Sequence, residues 1–432
     1  SQDLRNGQLS TLGTGLSPQP VPILNTFQYD AKVPTSVQWN SEIQMALPWA
    51  SAVTVAYVGN HGYNRLGAFQ GGQTVNVNAV DIGTAYLPQD QDTTKAPSSV
   101  PGANALTTNL LRPYTGLGIV AQQTTQFWDT YHSLQFSLNR RYRDGFAFGV
   151  NYVRGLSFKG NTGLQLRLQH APDGTLSVRA DQADYEALNE NLDLRPNIIK
   201  ANAVWDLPKV PGTNGGAGMK VLGYILNDWQ ISGVLTAGDS VNSANGNNGQ
   251  NGNGEAYDLT YSYQSNGGAV NLTGSPDYNA RIVYVGDPGS GCSSDQYRQF
   301  NVASVTGPQY GSTGLESGRN LLRNCKDHTI DMALAKRISF PGNKNLLFRM
   351  DVFNLLNTYI INNRNTLVTF QSPTNLTVVN SQFLPDGSLD PARLTPRNAG
   401  FGAATGAVTG GAQAGLGNNY TRVVMFTVRF QF

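Results

Sequence analysis

Few residues in this 432-residue chain have types that could carry chemistry. The four histidines, His61, His132, His170 and His328, have neither helical nor zinc-type spacing, and His61 and His328 read as exposed loop residues near one rim. Asp181, Asp184, Glu186, Glu190 and Asp193 form an acidic cluster that could hold a divalent cation. No EF-hand pattern accompanies them, and a solvated loop is the expectation. The run GTNGGAGMK from Gly212 to Lys220 has the glycines of a phosphate-binding loop. It lacks the GK[ST] ending and a helix pattern after it, so it reads as a flexible turn. The low-complexity SANGNNGQNGNG from Ser243 to Gly254 suits a loop. The sequence has no G-x-S-x-G elbow, no H-E-x-x-H and no Cys/His nucleophile arrangement. No catalytic residue, metal site or cofactor is expected, and the chain does not read as an enzyme.

Composition narrows the classes further. Charged residues are 13% of the chain, about half the usual share of a soluble domain, and 30 Lys+Arg nearly balance 28 Asp+Glu. Forty-eight glycines and many Asn, Thr, Ser and Gln take up the difference. A net charge of +2 without a basic cluster gives no footprint for nucleic acid. No apolar run reaches the roughly 18 residues of a transmembrane helix. The first 20 residues lack the layout of a signal peptide, so a mature, processed or truncated start is expected. Aromatic residues spread through alternating segments argue against disorder.

The elements that must position everything else have period two. Tyr420, Val424, Phe426, Val428, Phe430 and Phe432 share one face of the last strand, with Thr421, Thr427, Arg429 and Gln431 on the other. The segments 38–47, 133–142, 146–152, 329–340 and 345–357 repeat the pattern, Tyr142 falling with Leu134, Phe136 and Leu138. Weaker alternation marks 50–58, 195–206, 228–237, 257–264 and 280–286. A soluble sandwich would bury the apolar faces, whereas an outer-membrane barrel would turn them to lipid around a polar lumen. Three features favour the barrel. The strands run about 9 to 13 residues, enough to cross a bilayer obliquely. Their opposite faces carry Arg, Asp, Asn and Gln, which a packed core rejects unless paired. Tyr57, Tyr142, Phe146, Trp205, Trp229, Phe340, Tyr420 and Phe432 sit near strand ends, as interfacial girdles do. Arg141, Arg337, Arg349, Asp351 and Arg429 are expected as a lumen-wall network. The fold class is therefore all-β, antiparallel transmembrane barrel strands, about 11 to 14 of them and part of a larger barrel, with long external loops.

Short links at 48–49, 143–145 and 341–344 alternate with long ones at 59–127, 155–194, 238–256, 287–328 and 358–419. With the last strand descending, eleven strands place the short turns in the periplasm and the long loops outside. Residues 1–36 then begin outside, as a loop, an upstream strand remnant or a hidden strand near 21–30. Cys292 and Cys325 share one external link, where an oxidising compartment allows a disulfide. Closing a loop of about 32 residues is worth about 3 to 4 kcal/mol, a structural role; two free thiols are the alternative.

Several stretches carry a family resemblance. VQWNSEIQMALPWASAVTVAYVGNHG (Val37 to Gly62), SLQFSLNRRYRDGFAFGVNYV (Ser133 to Val153) and NDWQISGVLTAG (Asn227 to Gly238) resemble the barrel of TonB-dependent outer-membrane receptors. FRMDVFNLLNT (Phe348 to Thr358), LTPRNAGFG (Leu394 to Gly402) and VVMFTVRFQF (Val423 to Phe432) do too. The similarity is to the Oar-like branch, common in acidobacteria, which carries an N-terminal carboxypeptidase-regulatory-like domain. It implies that Phe353, Asn354 and Asn357 belong to a penultimate-strand motif. It also implies that Phe426, Val428, Phe430 and Phe432 form the signal read by the barrel-assembly machinery. The family has 22 strands around a plug; no plug, TonB box or regulatory-like domain is found among these residues.

The implied reading is the C-terminal barrel portion, residues 1–432, of a longer TonB-dependent receptor performing active uptake or large-cargo transport. The implied partners are outer-membrane lipid, the barrel-assembly machinery and, through N-terminal parts, TonB. The ligand is not legible, because the loops carry no recognisable chemistry. A surface adhesion or assembly protein anchored by its strands is the main alternative; a soluble secreted β-protein is the third.

Overall fold

The computed structural model describes residues 24–66, 74–192, 194–211, 215–239, 260–264, 271–287, 301–321, 326–340, 342, 344–358, 361–393, 400–407 and 422–432. Nine strands build one antiparallel sheet: β1 (Thr35–Leu47), β2 (Ser51–Arg65), β3 (Phe127–Arg143), β4 (Phe146–Gly160), β5 (Asn197–Asp206), β6 (Trp229–Gly238), β7 (Asp327–Phe340), β8 (Lys344–Phe353) and β9 (Val423–Gln431). Each pairs with its neighbours in sequence, and β1 and β9 form the two edges. This is the all-β, up-and-down architecture that the period-two pattern requires.

Register confirms which residues share a face. Trp205 lies opposite Phe146 and Ile231, Ile231 opposite Leu334, Leu334 opposite Met350, and Met350 opposite Phe426. That apolar row is not a core. Phe426, Val428 and Phe432 expose 76%, 63% and 92% of their surface. A contiguous greasy face of this kind is stable against lipid and costly against water. The other face carries Asn202, Gln230, Asp331, Asp351 and Thr427 on the alternate positions.

The parity is broken once with consequence. A register shift between Arg140 and Arg143 inserts an extra residue, so Arg143 rather than Tyr142 lies opposite Phe146. Tyr142 therefore belongs to the polar face, and its hydroxyl donates to Asp206, which also accepts from Gln230 at 2.7 Å. Reading Tyr142 with Leu138 fails because strict alternation does not anticipate a bulge.

The links segregate by length. The connections 48–50, 144–145, 207–228 and 341–343 lie at one rim, and 66–126, 161–196, 239–326 and 354–422 at the other. Two expected crossing strands are corrected. Residues 257–264 yield Thr260–Tyr263, paired with Leu367–Ser372, and 280–286 yield Val283–Tyr284, paired with Val305–Thr306; both lie in small sheets outside the main one. Their few alternating residues pack loop against loop. Because the two are consecutive, removing them leaves every other strand's direction unchanged. The strand Leu24–Phe27 also lies outside the main sheet, pairing parallel with Val120–Gln123.

Strands β2 and β3 are longer than expected, 15 and 17 residues. Gly59 to Gly62 read as the start of a loop but continue the ladder against Asp129 to His132. A tilted membrane strand needs about 9 to 11 residues, so the upper part of this hairpin projects beyond the apolar zone. Among the described residues two helices exceed one turn: α1 (Gln182–Asn189) at the long-loop rim and α2 (Ala217–Leu226) at the short-turn rim. Both correct the sequence reading. The acidic cluster begins a helix that buries Tyr185 and Asn189. The glycine-rich run leads into α2, whose apolar residues surround so much of its circumference that no polar stripe marks a helical period.

Candidate functional site

The described parts of the long loops pack together into a cap with its own interior, and this is where buried polar chemistry concentrates. Asp277, in the third loop, is the node. Its carboxylate accepts from both Arg112 terminal nitrogens at 2.9 and 3.2 Å, from Asn76 Nδ2 at 3.1 Å and from the Val80 amide at 2.8 Å. Those donors come from the first loop. The Asp277 carbonyl accepts from Gln165 of the second loop at 2.8 Å. Arg112 and Asp277 are both buried. An ion pair out of water is tolerable when its remaining donors and acceptors are used, as they are at this carboxylate.

A second polar junction forms around Tyr185 of α1. The Arg167 and Arg281 guanidiniums lie 5.2 and 5.0 Å from its ring centre. Arg281 donates to the Asn189 side chain and to the Ser317 carbonyl, and its amide donates to Glu316 at 3.0 Å. Arg319 donates to the carbonyls of Asn189, Thr162 and Gly160 at 2.7, 2.9 and 3.0 Å, tying the third loop to the end of β4. Planar, always-charged guanidiniums suit such forks. The fourth loop joins through an apolar cluster: Val368, Phe370 and Phe401 pack with Tyr263, Leu272, Ala280, Ile282 and Val305 of the third. Burial pushes the phenols of Tyr261, Tyr263 and Tyr278 well above their ordinary range.

The residues singled out by sequence are distributed, not convergent. His170 pairs with Asp81 at 3.0 Å inside the cap. His61 lies within β2, bonded to Thr130 Oγ1 at 2.7 Å, and so is not a loop residue. His132 bonds the Tyr57 hydroxyl at 2.7 Å, and His328 lies in β7. Within the acidic cluster Asp181 pairs with Arg167 and Arg179 at 3.1 and 3.0 Å, and Glu190 with Lys159 at 2.5 Å. Asp181 and Glu190 are thus engaged by cations of the protein, Asp184 is exposed, and Asp193 lies outside the described residues. Among the described residues no group of three His, Cys, Asp or Glu is arranged to hold a metal ion. Of the expected lumen network, Arg349 and Asp351 are directly joined at 2.7 Å. Cys292, Cys325, Tyr420 and Thr421 lie outside the described residues.

The FNLLN stretch has a clear physical role. Asn354 and Asn357 adopt left-handed backbones, φ 49° and 53°, which asparagine tolerates better than most residues. The Asn354 amide donates to Asp331 of β7 at 2.8 Å, and its side chain both donates to and accepts from Thr358. Asn357 Oδ1 accepts from the Arg422 amide at 3.0 Å. The motif thus ends β8 and ties β7, β8 and the approach to β9 at the long-loop rim. Phe353 is the last residue of β8, opposite Val423. Phe426, Val428 and Phe430 form the outward row of β9, and Phe432 stacks on Phe430 at 6.0 Å.

The clustered arginines of the cap escaped the sequence reading, because they stand singly in Gly/Asn/Ser-rich links. Their partners lie far off in the chain, Asp277 165 positions from Arg112, so no local spacing marks them. At the junction of cap and sheet, an open pocket of about 460 Å³ is lined by Asp30, Lys32, His61, Tyr63 and Trp128 among others.

Residues 4–409 match the family described as outer membrane beta barrel domain. Among solved structures, the outer membrane transporter YddB from Escherichia coli is similar over 82% of this chain and 32% of its own, with 9% identity and a TM-score of 0.33. The chain thus spans about a third of the length of that transporter. No curated protein matches the chain.

Proposed function

Because the chain belongs to the outer membrane β-barrel domain family, we propose that it is the barrel portion of a TonB-dependent receptor of the Oar-like branch, working in active uptake or large-cargo transport. The observation that carries this reading is the gathering of four long loops into one packed cap over one rim of the sheet, with short turns at the other. Long loops face outward in outer-membrane barrels, so under this reading the cap lies outside the cell and the short turns in the periplasm. A packed outer cap is suited to capturing a ligand above a polar lumen. The sheet's two edges, β1 and β9, are not paired with one another. A membrane sheet must close, so further strands are part of the proposal. Under it the chain does no covalent chemistry, and energy coupling belongs to plug and TonB-contacting parts.

Binding of a TonB C-terminal domain to the intact receptor, measured by co-purification in detergent, tests the reading. Specific binding supports transport. Failure to bind, in a receptor that still displays the cap on the cell surface, overturns transport in favour of surface adhesion or assembly.

A further inference from the structure

Helix α2 presents an unusually greasy surface. Val221, Tyr224 and Ile225 are 59%, 55% and 58% exposed, and Met219, Leu222 and Leu226 are exposed with them. At 3.6 residues per turn these side chains cover roughly two-thirds of the helix circumference, leaving Lys220 and Gly223 to the remaining arc. Facing water, such a surface would invite aggregation.

Register shows which flank of the sheet the helix occupies. Trp229 lies opposite Lys336 and two residues from Ile231, which lies opposite Leu334, so its ring belongs to the apolar, lipid-facing row. The Trp229 indole N–H donates to the Ile225 carbonyl at 2.8 Å, holding the last turn of α2 against that row. The Lys336 ammonium, on the same face, donates to the Asn227 carbonyl and lies 5.4 Å from the Trp229 ring centre. An aliphatic stem along an apolar face with its charge drawn to the rim is the posture of a lysine at a membrane boundary. Asn227 Oδ1 accepts from the Val210 amide at 2.7 Å, and Lys209 pairs with Asp228 at 3.2 Å, fixing both ends of the connection. The exposed helix surface is therefore continuous with a surface that already meets lipid.

We propose that α2 is an interfacial anchor. It lies along the periplasmic leaflet of the outer membrane, with its apolar side chains in the acyl–headgroup boundary and Lys220 toward the phospholipid phosphates. The choice of leaflet rests on the sidedness proposed above; the contact with lipid does not.

The test places a fluorescent nitrobenzoxadiazole label at Ile225→Cys or Lys220→Cys, in a Cys292→Ser, Cys325→Ser background. The intact receptor carrying these substitutions is reconstituted in phosphatidylethanolamine/phosphatidylglycerol vesicles. Shallow spin-labelled lipids should quench position 225 about threefold more than position 220, with aqueous iodide giving the reverse order. Equal iodide access at the two positions overturns the proposal. Protection of position 225 from both quenchers also overturns it, because a protein surface then covers the helix. Asp144→Cys, in another short turn, is separately exposed to an impermeant maleimide on intact cells. Its reaction would overturn the sidedness, and with it the leaflet, while the lipid contact at position 225 stands or falls on the quenching alone.

Discussion

The sheet and the cap are built by opposite rules from one continuous chain. In the sheet, apolar side chains such as Phe426 and Val428 point outward and the backbone ladder supplies the cohesion. In the cap, Val368, Phe370 and Phe401 point inward, and buried Arg112, Arg281 and Arg319 donate hydrogen bonds to neighbouring loops. The difference teaches that solvent sets the direction of burial for each region. Lipid replaces a core for the strands, whereas the loops face water and need an interior of their own.

Changes that damage one region and spare the other sharpen this contrast. The largest effect is expected from Arg112→Met, which leaves Asp277 as a buried charge without its partner at a cost of about 3 to 5 kcal/mol. Hydrogen exchange should show the first three loops losing protection while β7 to β9 keep theirs; equal loss in both regions would break the contrast. Next comes Phe426→Arg, which sets a charge on the lipid face at about 2 to 4 kcal/mol, against a tolerated Thr427→Arg on the polar face. Folding into vesicles followed by denaturant titration reads the difference, and similar costs at both positions would refute the assignment of faces. Asn354→Ala should cost about 1 to 3 kcal/mol by straining a left-handed residue and deleting its side-chain bonds, with Asn354→Gly recovering the backbone part. Exchange protection at the tops of β7 and β9 reports it.

The mildest effect is alkaline. Burial raises the Tyr261, Tyr263 and Tyr278 phenols from an ordinary value of 10.0. The neutral forms are favoured when folded, so their contribution is complete below pH 10 and is lost as pH rises through the window above it. Ultraviolet titration should show cap opening there without loss of sheet circular dichroism.

The strands were legible because a membrane sheet repeats one rule at every second residue: Phe348, Met350 and Val352 oppose Arg349 and Asp351 in the sequence as they do in space. The Tyr142 bulge was not, since one extra residue has no compositional mark. The cap was illegible for a different reason. Asp277 meets Arg112 across 165 positions of chain, and nothing local to either residue announces the other. Helix α2 failed on pattern, and α1 was hidden by reading its carboxylates as a solvated group. The Asn354 and Asn357 motif was recognisable by resemblance, but its stitching role became clear only from the left-handed backbones.

The segregation of link lengths also governs how the chain must assemble. The hairpins β1–β2, β3–β4 and β7–β8 close through turns of two or three residues, so little chain entropy opposes them. Joining one hairpin to the next means closing a loop roughly twentyfold longer, an additional cost of about 3 kcal/mol each by polymer arithmetic. Packing the loops upon one another offsets that cost, since a loop already held in the cap has its ends near each other before the strands meet. The cap would then act as a jig for the barrel wall: hairpins first, loop docking next, and lateral zipping of the sheet last.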